Sequence, residues 1–157
     1  PQPQAPESDS AMESELLAPL KTADGISPYE MEERLQKIMD EYAGGASTNY
    51  ECAAGKLVIA RDHLASLQKH CGRLMAGDLA ELVEVCDMKH RILVARTLVE
   101  HLLARRETRW PCYQSRADFP VRNDVEYKCF VNSTMDVEND RISCFQRSLA
   151  APYEKVG

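Results

Sequence analysis

Glycine is scarce, and its seven positions (25, 44, 45, 55, 72, 77 and 157) leave no place to write G-x-G-x-x-G or a Walker loop. Loops that cradle a pyrophosphate need glycine, because the backbone must approach the phosphates with no Cβ in the way. The chain therefore carries no nucleotide or flavin cradle of a familiar kind. It also lacks G-x-S-x-G, H-E-x-x-H and any C-x-x-C pair. The six cysteines, Cys52, Cys71, Cys86, Cys112, Cys129 and Cys144, are each at least fifteen residues apart. Metal and iron–sulfur sites usually draw thiolates in close pairs, so this spacing argues against a cluster, and no metal ligand set is assigned. Cys71 and Cys86 fall on apolar helical faces and read as small buried hydrophobes. No run approaches the roughly 18 apolar residues that cross a membrane, and the N-terminus lacks the basic-then-apolar pattern of a secretory signal. The expectation is a soluble, cytoplasmic protein with no membrane partner.

The 157 residues are 44% hydrophobic, enough for one ordinary domain with a core. The net charge of −6 is unevenly spread. Residues 1 to 41 hold ten acids and three bases, whereas Lys89 to Arg122 holds eight bases against Glu100, Glu107 and Asp118. This basic stretch suits an anionic partner or a set of surface pairs and helix-end caps. No aromatic residues alternate with its cations, which argues against a nucleic-acid platform.

Residues 1–26 read as a flexible acidic leader with a short apolar patch at Leu16, Leu17 and Leu20. Ser27-Pro28 followed by Glu30 is a helix start, with Ser27 as N-cap and Pro28 at the first helical position. Met31, Leu35, Ile38, Met39 and Tyr42 recur at helical spacing up to Gly44-Gly45. A second helix is predicted from near Asn49 to about Cys71, carrying the stripe Leu57, Ala60, Leu64, Leu67, Cys71 and Leu74. Asp78 caps a third, reaching roughly Arg106. It bears one apolar stripe of Leu79, Val83, Cys86, His90, Leu93 and Thr97, and a second of Val85, Met88, Ile92, Ala95, Val99 and Leu102. A helix apolar on two faces needs two partners, and two short neighbours cover one. Beyond Arg109 the prolines forbid helix, and Tyr127 to Val131 and Ile142 to Phe145 suggest a hairpin. The predicted fold is mainly α. It comprises a three-helix antiparallel bundle over 27–109, then an extended proline and aromatic segment with a small C-terminal β-hairpin tail over 110–157.

Three blocks carry a resemblance. Leu35 to Gly45 with Ser47-Thr48, then Glu107-Thr108-Arg109-Trp110-Pro111, then Arg116-Ala117-Asp118-Phe119-Pro120, with Cys129-Phe130-Val131-Asn132-Ser133 behind them, resemble the C-terminal part of the adenylylsulfate reductase flavoprotein (alpha) subunit family over roughly residues 28 to 147. More distantly the second and third blocks resemble the fumarate reductase and succinate dehydrogenase flavoproteins. Cys112 stands where the family usually has Gly, and Phe119 where it usually has Tyr. The resemblance implies a helical bundle packed on an FAD-binding domain, in an enzyme that reduces adenylylsulfate to sulfite and AMP. It also implies that FAD belongs to parts of the subunit preceding this region, and the iron–sulfur clusters to a separate beta subunit. This chain is then expected to bind no cofactor and to catalyse nothing alone. Its partners would be the FAD-binding domain or subunit, with the iron–sulfur subunit as a further candidate.

No catalytic residue is assigned. Arg109, Trp110, Tyr113, Arg116, Asp118 and Phe119 are the candidates for docking or active-site support, since aromatic area and arginine forks suit both. The alternative is that they close the bottom of the bundle. The alternative function is a stand-alone helical interaction module.

Overall fold

The computed structural model describes residues 7–109 and 115–149. It is mainly helical and ends in a two-stranded hairpin. Helix α1 spans Glu7–Leu16, and a 3-10 turn follows at Ala18–Lys21. In the stretch assigned to a leader, the leucine patch is what seats the chain. Leu17 and Leu20 pack against the core, Pro19 is buried, and Ala76 N donates to Pro19 O at 3.0 Å. Ile26 then forms a parallel bridge with Leu74, with Ile26 N donating to Arg73 O at 2.9 Å and Met75 N to Ile26 O at 3.0 Å. A Cβ on Gly25 would lie 2.5 Å from Arg73 O, so only glycine permits this approach.

Helix α2 (Pro28–Tyr42) starts as predicted, with Ser27 Oγ accepting from Glu30 N at 3.1 Å and Pro28 at the first position. It buries Met31 and Leu35 and ends where Gly44 turns to φ +83°. The next helix was expected from near Asn49, yet α3 occupies Ala54–His70. Asn49 and Tyr50 are both left-handed, with φ of 54° and 61°. Glu51–Cys52 then forms strand β1, paired in parallel with β2 at Ser115–Arg116. A long-range strand pair thus claims residues that helical periodicity alone would have assigned to the first turn.

Helix α3 buries Leu57, Ala60, Leu64 and Leu67. Asp78 caps α4 (Leu79–Ala104), its Oδ1 accepting from Glu81 N at 2.9 Å. Of the two stripes on α4, the one through Val85, Met88, Ile92, Ala95, Val99 and Leu102 is buried, joined by Leu82. On the other, Leu79, Val83 and Leu93 are exposed, and so are Val94 and Leu98 beside them. Helices α2, α3 and α4 pack pairwise around one core. A short helical turn, α5 (Asp124–Tyr127), leads into β3 (Cys129–Asp136), which pairs antiparallel with β4 (Arg141–Ser148). The hairpin therefore starts later and runs longer than the alternation predicts, because Tyr127 closes a helical turn and is buried. Its turn is fastened to α4 by Arg96, whose guanidinium donates to the Asp140 carboxylate at 2.7 Å and to Asp140 O at 3.0 Å.

Cys52 and Cys71 are buried, and Cys86, Cys129 and Cys144 are half-buried, each a free thiol. Burial pushes the Cys52, Cys71 and Cys144 thiols above their usual pKa, which suits packed hydrophobes. Among the described residues no three His, Cys, Asp or Glu are placed to hold a metal, and no helix is long and apolar enough to cross a membrane.

Packing sets the cost of change. Leu64 is fully buried, so Leu64→Ala is expected to lower the unfolding free energy by about 3 kcal/mol. Leu79 is 68% exposed, so Leu79→Ala should stay within about 0.5 kcal/mol of the parent in the same urea titration.

Candidate functional site: an arginine–carboxylate corner

At the C-terminal end of α4 the chain leaves the helix and buries charge. Glu107 has no exposed side-chain surface. Its Oε1 accepts from Arg105 at 2.5 Å and from Arg109 Nε at 2.7 Å. Its Oε2 accepts from the other arm of Arg109 at 3.0 Å and from the backbone N of Asn123 at 2.9 Å. A buried carboxylate costs several kcal/mol in desolvation unless its lone pairs are filled, and here all are. Burial by itself would raise the Glu107 pKa. The hydrogen bonds from Arg109, Asn123 and Arg105 outweigh it and hold the carboxyl below the usual range. Arg109 also reaches Asp124 at 3.0 Å and Tyr127 O at 3.1 Å. Arg105 donates to Tyr127 O at 3.1 Å and Cys129 O at 2.9 Å, with its guanidinium 5.7 Å from the centre of the Tyr127 ring. One carboxylate thus ties the exit of α4 to α5 and the root of the hairpin.

A second knot lies beside it. Arg116 is 2% exposed, delivered by the β1–β2 pairing. Its guanidinium forks onto Asp118, Nε to Oδ1 at 2.8 Å and one terminal nitrogen to Oδ2 at 2.7 Å. Its other terminal nitrogen donates to Leu102 O and, at 3.1 Å, to Arg105 O, two carbonyls at the end of α4. Asp118 Oδ2 in turn accepts from Ala54 N at 2.9 Å, capping α3, whose own N-cap residue Ala53 offers no side-chain oxygen. The Arg116 guanidinium holds the Asp118 carboxyl below its ordinary pKa. Thr108 Oγ accepts from Arg116 N at 2.9 Å and donates to Phe119 O at 3.0 Å.

The six candidates therefore do not converge as one cluster. Arg109 belongs to the Glu107 knot, while Arg116, Asp118 and Phe119 form the other, with the Arg116 guanidinium 5.2 Å from the Phe119 ring centre. Trp110 and Tyr113 lie outside the described residues. Both arginines make the bidentate contacts expected of them, but to carboxylates of their own chain. Phe119 keeps 36% of its surface exposed. Sequence reasoning named Glu107 and Thr108 within a resembling block but gave no site role to them, to Arg105 or to Asp124. The signal was present, since Glu107 is the one carboxylate set among four nearby arginines, where an uncompensated charge is hardest to bury.

Beside the corner, His101, Arg105, Arg109, Tyr127, Lys128, Phe130, Val131 and Leu149 line a hollow of about 410 Å³. The described residues around this hollow form no cradle for a whole flavin. The buried charged side chains, Glu107 and Arg116, are saturated by internal partners, and the one buried side-chain atom without a partner among the described residues is Gln68 Oε1, on α3.

Residues 32–150 match the family described as fumarate reductase flavoprotein C-term, and the chain belongs to that family. Within it, the chain is 33% identical over 138 residues to the adenylylsulfate reductase subunit alpha of Megalodesulfovibrio gigas. That match takes in 88% of this chain and 20% of the relative, so the chain spans about a fifth of that relative's length. The solved adenylylsulfate reductase of Archaeoglobus fulgidus superposes with a TM-score of 0.88 at 34% identity, covering 100% of this chain and 27% of that one. The quinol fumarate reductase of E. coli, at 18% identity and a TM-score of 0.76 over 94% of this chain and 26% of that one, shares the fold.

Both knots depend on carboxylates whose folded pKa is depressed. Such groups add stability that is fully present above their unfolded pKa and is lost as pH falls through the folded value. Thermal stability should be flat from pH 7 to about 5 and fall below about pH 4, where unfolded carboxylates begin to take up protons. Glu107→Gln should flatten that acid limb, and Arg116→Met should cost about 3 kcal/mol in urea unfolding, since it strands Asp118 and two helix-end carbonyls.

Proposed function

We propose that this chain is the C-terminal helical domain of an FAD-dependent adenylylsulfate reductase. The reaction, from dissimilatory sulfur metabolism, takes adenylylsulfate to sulfite and AMP in the cytoplasm. FAD, held by a part of the flavoprotein outside this chain, supplies the two-electron chemistry. The residues here dock and brace that part, and they do not catalyse alone. The observation that carries the reading is the corner at the end of α4. Two saturated charge knots hold Arg109 and Arg116 rigidly at the end of α4. Phe119 and the hollow lined by Phe130 and Leu149 add apolar surface near these arginines. Arg109, Trp110, Tyr113, Arg116, Asp118 and Phe119 keep the role of docking or active-site support. Arg116 and Asp118 serve it from beneath by joining the end of α4 to the start of α3. The FAD-binding domain is the partner assigned to this corner, and an iron–sulfur beta subunit the further one.

A second reading, a stand-alone interaction module, is favoured by a different observation, the uncovered apolar strip along α4. Expression together with the flavin-binding part of the Megalodesulfovibrio gigas alpha subunit separates the two. Under the first reading the two polypeptides purify as one yellow complex. Arg109→Ala should weaken that complex at least tenfold with helical circular dichroism unchanged. A chain that ignores the flavoprotein part, or a variant that loses its helices, removes the docking role.

A further inference from the structure

The hollow beside the corner has Arg105, Arg109 and Lys128 in its lining and no acid among the described residues that form it. Arg105 and Arg109 are already engaged, both with Glu107 and the second also with Asp124. Lys128 is different. It caps the end of α5, is exposed, and makes no ion pair with a described residue. From His101 to Phe130 the sequence holds six Lys and Arg against four Asp and Glu, a surplus of two in a chain whose net charge is −6. Glu107, Asp118 and Asp124 pair with arginines, and Glu126 accepts from the Asn123 side chain. The cations left without a carboxylate among the described residues are Arg106 and Lys128, and of these Lys128 lines the hollow. Beside it the lining is apolar at Phe130 and Leu149, which are 49% and 48% exposed.

We propose that this hollow seats an acidic side chain of the flavin-binding part of the flavoprotein, carried next to an apolar one, and that Lys128 is the cation that meets it. The inference rests on the docking reading and adds the chemistry of the partner and the residue that selects it. An exposed aromatic beside an uncompensated cation suits a contact surface, since the ring supplies area and the charge selects the partner's sign. A neutral or basic surface laid over the hollow would desolvate Lys128 and leave its charge unmet; a carboxylate removes that cost. Phe130 is steadied from across the hairpin by Arg147, whose guanidinium lies 5.2 Å from the ring centre. A volume of about 410 Å³ is at the low end of ligand-sized pockets, about 300–1,000 Å³, and suits a few side chains of one loop. The relatives show where such a loop would come from. This chain covers 27% of the Archaeoglobus fulgidus polypeptide, so most of that polypeptide lies outside the matched region.

The complex with the flavin-binding part of the Megalodesulfovibrio gigas alpha subunit tests the seat. Its dissociation constant should rise at least tenfold between about 50 and 500 mM NaCl, because an exposed rim pair is screened by salt. Lys128→Glu should raise it at least tenfold at the low salt and remove most of the salt dependence, whereas Lys128→Arg should bind as the parent does. Phe130→Ala should raise it about fivefold. All three variants should keep the parent's circular dichroism, since neither side chain is buried. A complex that Arg109→Ala weakens, but that Lys128→Glu and salt leave as tight as the parent, removes the acidic seat and spares the docking reading; no complex at all removes both. If the chain instead pairs with itself and Lys128→Glu ends that pairing, the hollow belongs to a second copy and the proposal is overturned.

Discussion

Arg116 joins two helix ends that carry opposite partial charges, and the rest of the molecule is arranged around that junction. The carbonyls closing α4 gather negative potential and receive a guanidinium; the amides opening α3 gather positive potential and receive a carboxylate. The same fork that grips Asp118 reaches the end of α4, so one buried ion pair fills unsatisfied groups on two helices. A buried pair is a weak source of net stability, because desolvation offsets most of the attraction. Its contribution here is geometric. The arginine has one place to go, and α3, α4 and the 108–121 segment must meet in a single arrangement for its donors to be filled.

What could be read from the residues followed the range of the forces involved. Caps and stripes are local, and Ser27, Asp78 and the buried row from Val85 to Leu102 do what their spacing implies. The hairpin was legible in kind and not in extent. What could not be read depended on residues far apart in sequence. Nothing near Asn49 announces that Glu51–Cys52 will be taken by a strand more than sixty residues on. Nor does Ala53 show that Asp118 will supply its missing cap. Leu17 and Leu20 belong to the core only because the Ile26–Leu74 bridge folds them back onto it. At the corner, arginines were given a role because they are conspicuous, whereas Glu107, the group that makes them tolerable in the interior, was named without one.

Helix α4 shows how composition can mislead about burial. Both of its stripes are apolar enough to be core, and the chain buries one of them. The distinction lies in what surrounds the helix. Helices α2 and α3 pack on the Val85–Leu102 side, and the hairpin is tied to α4 at Arg96. On the exposed side Leu79, Val83, Leu93, Val94 and Leu98 face outward.

The cap that Asp118 lends to Ala54 crosses 64 residues of chain. Helix α3 is therefore not finished when its own residues have emerged and coiled; it waits on a segment beyond α4. A piece ending at Arg109 would hold every helix of the bundle and still leave one of them open at its front and another unquenched at its tail. Through Asp118 and Arg116 the segment after α4 supplies partners to the open ends of two helices of the bundle.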